Sequence, residues 1–132
     1  MNKNALRNVQ RALRAGAVLL AVGLPLGLYF GGAQPVAVGL IPSPYDKLVH
    51  AAVFAVLAGA IGYASGLRGW RMLLVAWLGA LAVGALDEWH QSALPGRSAG
   101  WDDLAADAVG AAVGTLALLA RERIKAYLLT HH

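Results

Sequence analysis

The sequence predicts an all-α integral membrane bundle of four transmembrane helices, with the N and C termini both cytoplasmic. Three observations predict it. Of the 132 residues, 58% are hydrophobic and only 14% charged, whereas a soluble domain carries about 25% charge. The 31 residues from Ala15 to Tyr45 contain no charge at all, well past the roughly 18 that define a candidate span. The lysines and arginines also fall on alternate connections, as a chain crossing a bilayer four times requires.

The elements follow in order. Residues 1–14 form a basic segment in which Leu6, Val9 and Leu13 share one helical face beside Arg7, Arg11 and Arg14. That pattern predicts a cytoplasmic interfacial helix lying against anionic headgroups. The first span is expected over about Ala15–Ala33, with Pro25 as a kink or a point of support from a neighbour. A cleaved leader is the rival reading, since Gly31, Gly32 and Ala33 are small residues after an apolar run. A segment of 16–19 apolar residues is long for a leader, so the span is expected to be retained. Pro35, Pro42 and Pro44 mark the connection that follows. The second span is expected at about Leu48–Gly66, the third at Met72–Gln91 and the fourth at Asp102–Ala120. At ~1.5 Å per residue, 19 residues reach about 28 Å, close to a ~30 Å hydrocarbon core. The charge-free runs of the last two are only 15 and 13 residues, Met72–Leu86 and Ala108–Ala120. Their carboxylates are therefore placed at or just inside the membrane boundary.

Nine of the lysines and arginines lie on one side of this arrangement and two, Lys47 and Arg97, on the other. Six of the seven acids share the second side, which leaves formal charges of +8 and −4 on the two faces. The basic excess thus serves orientation, and a nucleic-acid partner has no support. Trp70 lies near the basic boundary and Tyr45, Trp89 and Trp101 near the acidic one, as interfacial anchors do. There is no cysteine, which excludes disulfides, zinc–thiolate sites and thiol nucleophiles. His131 and His132 are assigned no role. The length allows one domain, taken as residues 1–132. Four-residue glycine spacings at Gly23, Gly27 and Gly31, at Gly62 and Gly66, and at Gly110 and Gly114 predict close helix packing.

The candidate site is a polar cap at the acidic end of spans two to four. Asp46, Lys47 and His50 open the second span. Asp87, Glu88 and Gln91 close the third, with Gln91 within one turn of both acids. Arg97 lies in the connection, and Asp103 and Asp107 are one turn apart on the fourth span. Each has a structural alternative: His50 as a packing residue, Asp46 and Lys47 as a helix start, Asp102 and Asp103 as partners of a helix dipole. Asp107 is the deepest carboxylate, and intramembrane carboxylates are costly unless paired. Its expected partners are His50, Gln91 or Arg97.

These residues resemble the signatures of a known family. Asp46-Lys47-Leu48-Val49-His50-Ala51-Ala52-Val53-Phe54 resembles its opening D-K-x-x-H-x-x-x-F. Asp87-Glu88-Trp89-His90-Gln91 resembles its D-E-x-x-Q. Pro95-Gly96-Arg97-Ser98, followed by Asp102 or Asp103 and then Gly110 and Gly114, resembles its P-G-R-x-x-x-x-x-D and closing glycines. Together they resemble the VanZ-like family of small bacterial membrane proteins, over residues 46–114. The position of Asp107 is usually Asn there, so this chain departs from the pattern. The resemblance implies a multi-pass protein of the bacterial inner membrane linked to the cell envelope. The founding member lowers susceptibility to the glycopeptide teicoplanin, but the resemblance supplies no reaction.

Three functions compete. The favoured one is a non-enzymatic envelope protein that binds a membrane lipid or lipid-linked envelope precursor, with Arg97 on phosphate, His50 and Gln91 adding hydrogen bonds, and Asp87 and Glu88 orienting Arg97. An alternative is a membrane-embedded enzyme acting on an envelope lipid or glycan, with His50 and Glu88 or Asp107 as a base pair or as metal ligands. No strong catalytic signature accompanies it. The third is a structural or partner-binding role. The sequence leaves the question of a cofactor open.

Overall fold

The structure, a computed structural model, describes residues 2–131; Met1 and the terminal His132 lie outside them. Four helices follow one another: α1 (Lys3–Gly32), α2 (Tyr45–Ser65), α3 (Gly69–Ser92) and α4 (Trp101–Thr130). Only a short 3₁₀ turn at Pro35–Ala37 interrupts the connection between α1 and α2. All four are long and apolar enough to cross a membrane. Successive helices run in opposite directions, which gathers the basic residues at one end of the bundle and the acids at the other.

The spans stand where hydropathy places them, but α1 and α4 are longer than expected, at 30 residues each. At ~1.5 Å per residue each reaches about 45 Å, so both outrun a ~30 Å core. The basic segment expected to form an interfacial helix of its own instead runs without a break into the first span. Ala5, Leu6, Arg7, Ala12, Leu13 and Arg14 are all strong helix formers, and no breaker separates them from Ala15. At the other end of the chain, Arg121, Glu122, Arg123 and Lys125 likewise extend α4 beyond Ala120.

α2 and α4 make the most extensive contact, α3 lies against both, and α1 packs mainly on α2. The fit of α2 to α4 comes from glycine. A Cβ at Gly110 would overlap the carbonyl of Ala51, and one at Gly114 the carbonyl of Ala55. With no hydrophobic drive between helices in lipid, such close backbone approach supplies the packing. Phe54, Leu57, Ala58, Ala80 and Ala111 form the central buried cluster, with Met72, Ala76 and Leu118 below it toward the basic end. Gly62 gives room there to Leu118 and Ala76. The glycine row on α1 behaves differently: nothing approaches where a Cβ of Gly23, Gly27 or Gly31 would stand. Small-residue spacing marks a flat face without specifying a partner for it. α1 accordingly buries one residue, Ala17. The large apolar side chains left outside the bundle, such as Leu19, Leu78, Leu86 and Leu116, are those a lipid tail would cover.

α2 ends at Gly66, whose φ of 68° is left-handed. The guanidinium of Arg14 lies against it while Arg14 Nε donates to the Ala64 carbonyl at 3.1 Å. Gly66→Ala is expected to cost about 1–2 kcal/mol, the penalty of a left-handed β-carbon. Thermal unfolding in detergent beside Gly59→Ala, where a Cβ meets nothing, checks it.

Candidate functional site

α2, α3 and α4 bring their polar residues together at the acidic end. The first turn of α2 meets the first turn of α4 through Lys47. Its Nζ reaches Asp46 Oδ2 at 3.0 Å and Asp102 Oδ2 at 3.1 Å, and it also pairs with Asp103 Oδ1. One ammonium thus faces three carboxylates, an arrangement its three donors can satisfy. Asp102, expected as a partner of the helix dipole or as the motif aspartate, is also part of this cluster.

One turn deeper, His50 Nδ1 and Asp107 Oδ1 stand 2.8 Å apart. Asp107 is wholly buried, at 0% exposure, and its other oxygen, Oδ2, has no partner among the described residues. That oxygen lies over Gly84 of α3, where a Cβ would come within 3.0 Å. Gly84 therefore provides the slot that admits the carboxyl. Of the three partners open to Asp107 by sequence, the fold selects His50.

The end of α3 divides its polar residues between two directions. Asp87 accepts a 2.8 Å hydrogen bond from Gln91 Nε2 within one turn, and both are buried. Glu88 is also buried, but its Oε2 accepts from the Gly100 backbone N–H at 2.9 Å, which ties α3 to the start of α4. His90 turns away, and its ring stacks on Tyr29 of α1 with centroids 4.0 Å apart and an 18° interplanar angle.

Arg97 departs from expectation. Asp87 and Glu88 do not orient it; its Nη2 donates to the Gly32 carbonyl at 2.9 Å, at the last turn of α1. A helix leaves its last four carbonyls without intrahelical partners, and a guanidinium is well suited to one of them. One oxygen of each acid is held instead by Gln91 and Gly100. Among the described residues Arg97 Nε is buried without a partner, as are Asp46 Oδ1, Asp87 Oδ1 and Glu88 Oε1. Buried polar atoms are nearly always hydrogen-bonded, to protein or to something else, and these gather at one end of the molecule.

Two cavities lie at this end of the bundle. A polar one of about 230 Å³ is lined by Asp46, Lys47, Gln91, Arg97, Asp103 and neighbouring loop residues. An apolar groove of about 560 Å³ runs between α1 and α3, lined by Leu26, Leu28, Val83 and Leu86 and ending at Asp87 and His90. The Asp87–Gln91 hydrogen bond joins a residue of one to a residue of the other. Chemically, the arrangement offers a cation with unused donor capacity, an imidazole held by a buried carboxylate, and an apolar trough alongside. Among the described residues, no three His, Asp or Glu side chains gather as a metal-holding cluster.

Of the sequence-derived candidates, Asp46, Lys47 and Asp103 form one cluster, His50 and Asp107 a second, and Asp87 and Gln91 a third. Glu88 and Arg97 each bind backbone. Gly84, Gly100 and the carbonyl of Gly32 were not visible as participants, since a slot, an N–H and a helix end carry no side-chain signature.

No curated protein and no solved structure matches this chain. A family model described as VanZ/LLP1 does match it, over residues 6–122, which takes in α1 as well as the motif-bearing helices. With four apolar helices and its ordered motifs on one polar cap, the chain belongs to the VanZ/LLP1 family.

Proposed function

We propose that this protein is a non-enzymatic component of the bacterial inner membrane that binds a lipid or lipid-linked envelope precursor at its acid-rich, extracytoplasmic end. The single observation that carries this reading is the Asp87–Gln91 hydrogen bond, which links the lining of the 230 Å³ polar pocket to that of the 560 Å³ apolar groove. A headgroup and a hydrocarbon chain of one molecule need two such adjoining environments. Lys47 is engaged by three carboxylates, so Arg97 is the cation left to meet a phosphate, which a guanidinium matches with paired N–H donors. A change in teicoplanin susceptibility would follow where the ligand is a precursor of the cell wall.

Native mass spectrometry of the protein gently extracted from its own membrane tests this. The wild type should carry a bound lipid or precursor. Arg97→Ala and Gln91→Ala should each lose most of it. Gln91→Ala leaves the Arg97–Gly32 bond intact and separates ligand loss from release of α1. Full retention in both variants would overturn the reading, and ligand-free wild-type protein would favour a structural or partner role.

One observation favours an enzyme as the second reading. His50 is held through Nδ1 by a buried carboxylate, and among the described residues its Nε2 makes no hydrogen bond, the disposition of a general base. Turnover of an envelope lipid lost in His50→Gln, with binding retained, would establish it.

A further inference from the structure

The opposite end of the bundle holds a second site. A cavity of about 340 Å³ is walled there by all four helices and the connection between α2 and α3. Six cations line it: Arg7, Arg11 and Arg14 from α1, Arg68 from the connection, and Arg121 and Lys125 from α4. The α1 residues are spaced by four and three, so they lie on one face of the helix. Glu122 is the one acid in the lining, and its Oε2 accepts the Gly69 backbone N–H at 3.1 Å. Among the described residues, none of the six cations forms a salt bridge.

Membrane orientation requires cations on this side, but it does not require them to converge on a concavity. Two are fixed in place. Arg14 is tied to the Ala64 carbonyl, and the Arg121 guanidinium sits 4.8 Å from the centre of the Tyr63 ring. The same Tyr63 and Arg121 also line an apolar groove of about 700 Å³ that runs along α1 and α2 past Gly16 and Gly59. The basic cavity and the apolar groove thus share two lining residues.

We propose that this end binds an anionic phospholipid, with a phosphate headgroup of more than one negative charge among the six cations and an acyl chain along the α1–α2 groove. Like charges brought together in a partly desolvated cavity repel one another, and a multiply charged phosphate relieves this where a zwitterionic headgroup does not. The site is independent of the pocket at the acidic end, and either can fail without the other.

The test uses the full chain in nanodiscs of zwitterionic phosphatidylcholine, titrated with a diphosphate-bearing phospholipid or with inorganic pyrophosphate. Binding of the lipid should weaken as salt is raised. Arg11→Gln combined with Arg68→Gln should reduce lipid affinity roughly thirtyfold, from the loss of two charges facing the headgroup. Neither residue makes a side-chain hydrogen bond among the described residues, and unchanged thermal unfolding would confirm that the bundle is intact. The matched control is Lys3→Gln with Arg123→Gln, which removes the same charge from the same end outside the cavity. An equal loss in the control would mean general surface attraction and would overturn the site. Gly59→Leu, which fills the groove, should weaken the lipid and leave pyrophosphate unaffected. Equal binding of lipid and pyrophosphate, insensitive to Gly59→Leu, would identify a soluble phosphate site and overturn the lipid assignment.

Discussion

Gly110→Leu is expected to drive α2 and α4 apart and to cost the bundle about 3 kcal/mol or more, at the upper end of what overpacking does. A β-carbon there already overlaps the carbonyl of Ala51, and backbone inside a helix cannot move aside as a flexible side chain can. The contact it breaks is the most extensive in the molecule. Both helices also carry the site, so His50 and Asp107 would separate with them. Val109→Leu is the control, because Val109 is 61% exposed on the outer face of the same helix. Unfolding in a denaturing-detergent titration should show a large loss for Gly110→Leu and little for Val109→Leu. Equal behaviour of the two would show that α2 and α4 do not pack through this glycine.

His50→Ala is expected to destabilise by about 3 kcal/mol, the lower end of the range for breaking a buried pair, because the imidazole is only partly buried. It would leave Asp107 wholly buried with neither oxygen bonded, since Oδ2 already has no partner. The double variant His50→Ala with Asp107→Asn removes the stranded charge and should recover more than 1 kcal/mol of that loss. Asp107→Asn alone should be mild, because the amide oxygen can still accept from the imidazole. The resemblance places Asn at this position. Thermal unfolding of the four proteins forms a double-mutant cycle. A double variant no more stable than His50→Ala alone would mean that the pair does not hold a charge.

The spans were legible because length and hydropathy are properties of single segments. The ends of α1 and α4 were less so. Arg7, Arg11, Arg121 and Lys125 mark where a helix leaves the apolar core, not where it stops, and only a breaker would have stopped it. The residues of the polar cap were legible as a set because the order of the motifs places Asp46, Asp87 and Asp103 at one end of an up-and-down bundle. Their partners were less so. The pairing of His50 with Asp107 depends on the register of α2 against α4, which Gly110 and Gly114 set by backbone contact. The assignment of Arg97 depends on where α1 ends, and no side chain announces a free carbonyl. Gly84 reads in sequence as one more small residue of an apolar span. Its meaning comes only from the carboxyl packed over it.

α1 buries almost nothing, yet it is fastened by arginine at two points, one midway along it and one at its end. Arg14, the twelfth of its 30 residues, reaches the last turn of α2, and Arg97 reaches its final carbonyl at Gly32. These attachments lie some 18 residues apart, about 27 Å along the axis. In binding terms α1 is a bivalent ligand of a three-helix receptor, kept at high effective concentration by the connection to α2. Such a ligand holds well while both grips and the tether act together, and weakly once any one is cut. A peptide spanning residues 3–32, added to a chain that begins at α2, should therefore associate poorly although every contact it needs is present.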